Sequence, residues 1–167
     1  GEEGVPLAPV IEALRGLAGD LDPTDLKAVA GPASAELGRL LPDLAWSEQT
    51  AMATGAGVAG ASQARLFEVL LGAVERLAER APLLWVMGDL HWADRSTRDL
   101  VAYLAAYLRS GRVMLVLTFR SDELHRAHPL RGLLGELARN RRVQRFELPR
   151  FTRAELAEQL AGLLGAD

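Results

Sequence analysis

The stretch 83–94, LLWVMGDLHWAD, runs five apolar residues into a glycine, an aspartate and a short polar turn. A strand that is apolar at every position, not at alternate ones, belongs in a parallel sheet covered on both faces. Open α/β sheets bind ligands at the carboxyl ends of such strands, and this one delivers the Asp89 carboxylate there. A metal-nucleotide site is the chemistry that arrangement suits. Yet a GxxxxGK followed by Ser or Thr, the loop whose backbone amides cradle phosphates, occurs nowhere in the sequence. The single lysine, Lys27, follows Asp25 and Leu26 and no glycine. These residues hold half a site.

A chain of 167 residues, 49% hydrophobic and 25% charged, is the size of one domain and can bury a real core. The absence of cysteine excludes a disulfide framework and a thiolate zinc site, and it fits a reducing compartment, so a cytoplasmic location is expected. Glu68, Glu75 and Asp89 interrupt the longest apolar runs well short of a membrane span. The acidic start Gly1-Glu2-Glu3-Gly4 does not resemble a signal peptide and reads as that of an excised piece. Charge is uneven: residues 1–94 carry 14 acids against five arginines and Lys27, or -8, and residues 95–167 carry 13 arginines against eight acids, or +5. Two such halves attract each other. The arginines of the basic half are spread over helix faces, which disfavours a nucleic-acid surface.

Apolar spacing divides the chain into a helical lead-in with a linker, 1–61, and an α/β part, 62–167. Leu7, Val10, Ile11, Leu14 and Leu17 form one helical stripe over 6–18. Asp22-Pro23 is an N-cap with proline in the first helical position, opening a helix through Ala30, and Pro32 opens a third that ends near Leu41. Residues 45–61 dissolve into Ala, Gly, Ser and Thr. Their literal GxGxxG, 55–60, has no strand before it, so it reads as a mobile linker and not as a dinucleotide fingerprint. From 62 onward helices alternate with three strands, at 83–87, 113–118 and about 143–148. The helix at 62–80 turns Leu66, Leu70, Val74 and Leu77 inward, and the next turns Leu100, Val101, Leu104 and Leu108 inward, with Ser96 and Asp99 spaced as a capping box. A helix at about 129–139 follows, and a final one opens on the capping box Thr152-Arg153-Ala154-Glu155. Alternation of this length predicts βαβ units and a parallel sheet.

Parallel strands end at the same edge, so Asp89 after one and Thr118-Phe119-Arg120 after the next flank one crevice if the strands are neighbours. The aspartate suits Mg²⁺, directly or through water, and the arginine suits a terminal phosphate. The plain alternative is a structural ion pair between Asp89 and Arg120. Asp94 reads as a helix N-cap before it reads as a ligand. His91 alone is a weak signal, because His125 and His128 lie in a distant loop and not at ligand spacing. Trp85 and Trp92 read as packing residues, and Arg139, Arg141, Arg142 and Arg145 as a solvated face at a helix carboxyl end.

LLWVMGDLHWADRSTRDLVAYLA, VMLVLTFRSDEL and HPLRGLLGELARN together resemble the ATPase domain of large LuxR-type transcriptional regulators, signal-transduction ATPases of the STAND group. VPLAPVIEALRGL resembles the segment that follows the nucleotide-binding helix in that family, so the likeness covers nearly the whole chain. It implies an incomplete P-loop NTPase-like fold that binds ATP and Mg²⁺ in the intact parent. Asp89 would then be the Walker B carboxylate and metal ligand, Arg120 the sensor facing the γ-phosphate, and Thr118 a further cofactor contact. The family usually has two adjacent acids where this sequence has Gly88-Asp89. Its Walker A strand lies between the strands matching 113–118 and 143–148. Without that strand, these two are expected to close together or to be covered by another chain. The expected partners are other domains of the parent regulator, possible self-association through the sheet edge, and DNA only through a separate domain. The rival reading is an interaction module that binds no nucleotide.

Overall fold

The computed structural model describes residues 6–40 and 63–165, so the GxGxxG at 55–60 and the linker assigned to 45–61 lie outside the described residues. The order is α1 (Ala8–Asp20), α2 (Pro23–Ala30), a 3-10 turn (Gly31–Ala33), α3 (Ser34–Leu40), α4 (Gln63–Arg80), β1 (Leu83–Met87), a 3-10 turn (Leu90–Trp92), α5 (Arg95–Tyr107), β2 (Val113–Leu117), α6 (Leu130–Leu137) and α7 (Arg153–Leu164). No helix among the described residues is long and apolar enough to cross a membrane.

Local signals place most of these elements. Asp22 caps α2 by accepting from the N–H groups of Thr24 and Asp25 at 2.8 and 2.9 Å, with Pro23 in first position as expected. α2 ends at Gly31, whose φ of +54° suits only glycine at low cost. Arg76 on α4 reaches across and donates to the carbonyls of Val29 and Ala30 at that end. The helix-end carbonyls, which have no intrahelical partner, are thereby satisfied by a cation. Asp94, not Ser96, caps α5, accepting from Thr97 N–H at 3.0 Å, so the capping box expected at Ser96 and Asp99 does not form. The backbone enters the helix one residue after Asp94, which leaves Ser96 already inside the first turn. The other oxygen of Asp94 accepts the N–H of Leu7 at 3.3 Å and ties the start of α1 to the start of α5. Thr152 and Glu155 close the capping box of α7.

The inward stripes meet in one continuous core. Val10 and Leu14 of α1, Leu26 and Val29 of α2 and Leu37 of α3 join Leu66, Leu70 and Leu77 of α4, Leu100, Val101 and Leu104 of α5 and Leu130, Leu133 and Leu137 of α6. At about 25 cal/mol per Å² of apolar surface removed from water, this burial is the main favourable term of the fold.

The sheet departs from expectation in two ways. Among the described residues it has two strands, β1 and β2, paired in parallel with Leu83 opposite Val113 and Met87 opposite Leu117. The third strand assigned to 143–148 is absent: that segment is exposed and joins no ladder. A strand needs a neighbour to take its N–H and C=O groups, and among the described residues none pairs with it. Segment 143–148 and β2 therefore do not close together. Among the described residues coverage is also one-sided. Leu83, Trp85, Leu115 and Leu117 pack on the core, while Leu84, Val86 and Met114 point outward and are exposed. α7 buries no residue, and its Leu156, Leu160, Leu163 and Leu164 are exposed. The arginine cluster is not a simple solvated face either. Arg142, which follows α6, donates to the carbonyls of Leu108 and Ala105, so it serves the carboxyl end of α5.

Replacing Arg76 with methionine keeps the stem and removes the cap on α2. The expected loss is about 2 kcal/mol of unfolding free energy in urea denaturation, the usual cost of losing hydrogen bonds from a charged donor. An R76M protein as stable as the wild type contradicts this role.

Candidate functional site

Because β1 and β2 run the same way, both chains leave the sheet at one rim. The ladder continues one step past the strands: Thr118 N–H donates to Met87 O at 3.0 Å, and Leu90 N–H donates to Thr118 O at 2.8 Å. The Thr118 hydroxyl accepts the N–H of Asp89 at 3.2 Å. These bonds hold Asp89 at φ 53°, ψ 42°, the left-handed region that aspartate tolerates better than most residues. Its side chain is 71% exposed, and directly after it the 3-10 turn sends His91 inward.

Asp89, Thr118 and Arg120 therefore stand on one rim. The ion pair weighed between Asp89 and Arg120 is not what forms: Arg120 Nη1 donates to Glu123 Oε1 at 2.8 Å. That hydrogen bond, then the charges of Glu123, Asp122 and Asp89, holds the guanidinium proton more tightly than usual. Glu123 Oε2 lies 3.0 Å from His91 Nε2, a contact distance without the alignment of a hydrogen bond. His91 Nδ1 accepts the backbone N–H of Arg120 at 3.4 Å and lies 3.9 Å from Asp89 Oδ1. By the hydrogen bond it accepts, Nδ1 is the bare nitrogen, so a neutral ring carries its proton on Nε2, facing Glu123. The His91 side chain is 2% exposed. Sequence reasoning left Glu123 out and rated His91 weakly. The available signal was an acid three residues after Arg120.

Trp92, expected to pack, is 78% exposed beside this rim, its ring centroid 5.5 Å from that of His91. The turn that buries His91 points its neighbour outward. Gly88, where the resembling family has a second acid, has room for a side chain: an added Cβ meets only Thr118 Oγ1, at 3.9 Å. Among the described residues no cluster of three or more His, Cys, Asp or Glu could hold a metal.

The sequence profile of the AAA ATPase domain matches residues 1–117. The chain belongs to the AAA ATPase domain family. This places it among P-loop NTPase-type domains, whose intact members bind ATP with Mg²⁺. No curated protein and no solved structure matches it. The match of this AAA ATPase domain ends at Leu117, the last residue of β2, so Thr118, Arg120 and Glu123 lie beyond it. The donor set fits one end of a magnesium nucleotide: an exposed hard oxygen at Asp89 and guanidinium donors at Arg120. The GxxxxGK followed by Ser or Thr that supplies an amide cradle and lysine for the remaining phosphates does not occur in the sequence.

His128 lies close by, its Nδ1 accepting the N–H of Leu130 at the start of α6. Burial, then His125, Arg98 and His91, pushes its pKa below the ordinary imidazole range. The unfolded chain, titrating near pH 6.5, therefore takes up the proton before the folded one on acidification. Stability is full above that pH and falls as pH drops toward the lower folded value. Urea unfolding from about pH 7.5 to about pH 5.5 is expected to show a steeper stability loss in wild type than in H128N, whose amide can still accept from Leu130. Equal slopes contradict the assignment.

Proposed function

We propose that this chain is the Walker B and sensor portion of the nucleotide-switch domain of a LuxR-type transcriptional regulator. The observation that carries the reading is the parallel β1–β2 pair, which sets Asp89 and Arg120 on one rim. Bound Mg²⁺ and ATP would supply the charge that orders the switch, and the chain's own residues would read it. Asp89, directly or through water, holds the cation; Arg120 binds the terminal phosphate; Thr118 fixes the backbone of Asp89. Loss of the γ-phosphate would release Arg120 and with it the segment after β2, the order-disorder logic of nucleotide switches. DNA contact belongs to another domain of the parent.

Without an amide cradle, the 167-residue chain is expected to bind Mg-ATP weakly or not at all in isothermal titration. Low-micromolar affinity that D89N abolishes overturns the claim that this chain holds only the Walker B and sensor portion of the site. Asparagine suits the left-handed backbone at 89, so D89N removes charge without adding strain.

The open space at Gly88 bears on hydrolysis. G88D in the full-length gene product is expected to leave stability within about 0.5 kcal/mol, as substitutions at open positions do, and to raise Mg²⁺-dependent ATP turnover. Unchanged turnover, with binding intact, means a second acid at this position is not what limits hydrolysis.

A second reading, self-association or protein binding without nucleotide, is favoured by the exposed Leu84, Val86 and Met114 on the uncovered sheet face. Light scattering across a concentration series separates the two. Mass that rises with concentration and ignores Mg-ATP supports this second reading.

A further inference from the structure

The nucleotide-switch reading uses Asp89 and Arg120 and leaves two groups at the same rim without a task, Glu123 and the buried His91. With Arg120 they close a ring. Arg120 Nη1 donates to Glu123 Oε1 at 2.8 Å, Glu123 Oε2 is 3.0 Å from His91 Nε2, and His91 Nδ1 accepts the Arg120 backbone N–H at 3.4 Å. One carboxylate meets the guanidinium with one oxygen and the imidazole with the other. The imidazole is buried and set by the turn Leu90–Trp92, so it is the fixed member. The Arg120 side chain, 67% exposed, is the member with freedom to lose.

We propose that Glu123 is the positioning residue of this site: anchored against His91, it holds Arg120 through one guanidinium nitrogen and leaves the other donors for the terminal phosphate of a nucleotide. The inference rests on the nucleotide-switch reading for its ligand and on geometry for the rest. Arginine presents five N–H donors in a planar fork, and Nε and Nη2 of Arg120 have no partner among the described residues. Ordering a long side chain before the ligand arrives removes that entropy from the cost of binding.

A carboxylate beside an arginine can instead act as a competing anion that masks it. Two features favour positioning. Masking is strongest when both oxygens engage the fork in parallel, and here only one nitrogen is engaged. The second oxygen lies 3.0 Å from a buried ring, which limits sterically how far the carboxylate can follow the guanidinium.

The test compares wild type, E123Q and E123A with two readouts. The first is ¹⁵N NMR of the Arg120 Nε–H group in the 167-residue chain, assigned with R120K. The second is Mg-ATP and Mg-ADP affinity of the full-length gene product. Glutamine keeps the acceptor oxygen and removes the charge, so E123Q is expected to keep Arg120 ordered and to bind ATP as tightly as wild type. E123A is expected to release Arg120 and to weaken ATP by about three- to tenfold, the range for ordering one long side chain, with ADP unchanged. E123A binding ATP like wild type overturns the proposal, and so does E123Q binding it more tightly, which is the signature of masking. If R120A leaves the preference for ATP over ADP unchanged, the nucleotide-switch reading fails. The NMR comparison then still decides whether Glu123 holds Arg120.

Discussion

Parallel pairing of β1 with β2 makes the chain leave both strands at the same end of the sheet, and Thr118 extends that pairing past the last strand residues. Its N–H, C=O and hydroxyl each bond to the segment Met87, Asp89 and Leu90. The turn after β1 is therefore bound to β2 as well as covalently continuous with β1. Asp89 is left-handed because its neighbours on either side are already placed. A non-glycine residue in that region costs on the order of 1 kcal/mol and persists only where surrounding bonds over-determine it. The same constraint turns His91 inward and Trp92 outward. The rim is thus one unit: β2 sets Thr118, Thr118 sets Asp89, and the turn sets the ring against which Glu123 rests.

What could be read in the sequence follows from what each signal encodes. Helix stripes such as Leu66, Leu70, Val74 and Leu77 carry a period that burial alone explains, and they came out buried on α4. Caps at Asp22, Asp94 and Thr152 are contacts within a few residues, so local spacing reveals them. Strand partnership is different. Val143, Phe146 and Leu148 show that a segment would be apolar in a sheet, but not that a neighbouring strand is there to pair with it, and all three are exposed. Likewise the unbroken apolar run of β1 encodes a need for cover on both faces, while the described residues supply cover on one. At the site, the shared rim of Asp89 and Arg120 could be derived because parallel topology dictates it. The Glu123–His91 contact could not, since it joins residues 32 positions apart through a turn whose direction depends on Thr118.

The exposure of the rim decides how strong the site is by itself. Asp89 and Arg120 are more than two-thirds exposed, so their fields are screened by water. Unit charges 4 Å apart interact by about 1 kcal/mol in bulk water and by about 4 kcal/mol at the effective dielectric typical of a protein surface. If the rim holds phosphates as proposed, a body covering it would contribute twice: it would donate its own groups to them, and it would strengthen the contacts already present by excluding water. The uncovered face carrying Leu84, Val86 and Met114 belongs to the same two strands. Apolar cover on that face would hold β1 and β2 rigid while also drying the end from which Asp89 and Arg120 emerge. Under the proposed nucleotide-switch reading, affinity for an anion at this rim would be tied to completion of the sheet, because the strands that need cover are the strands that aim the charges.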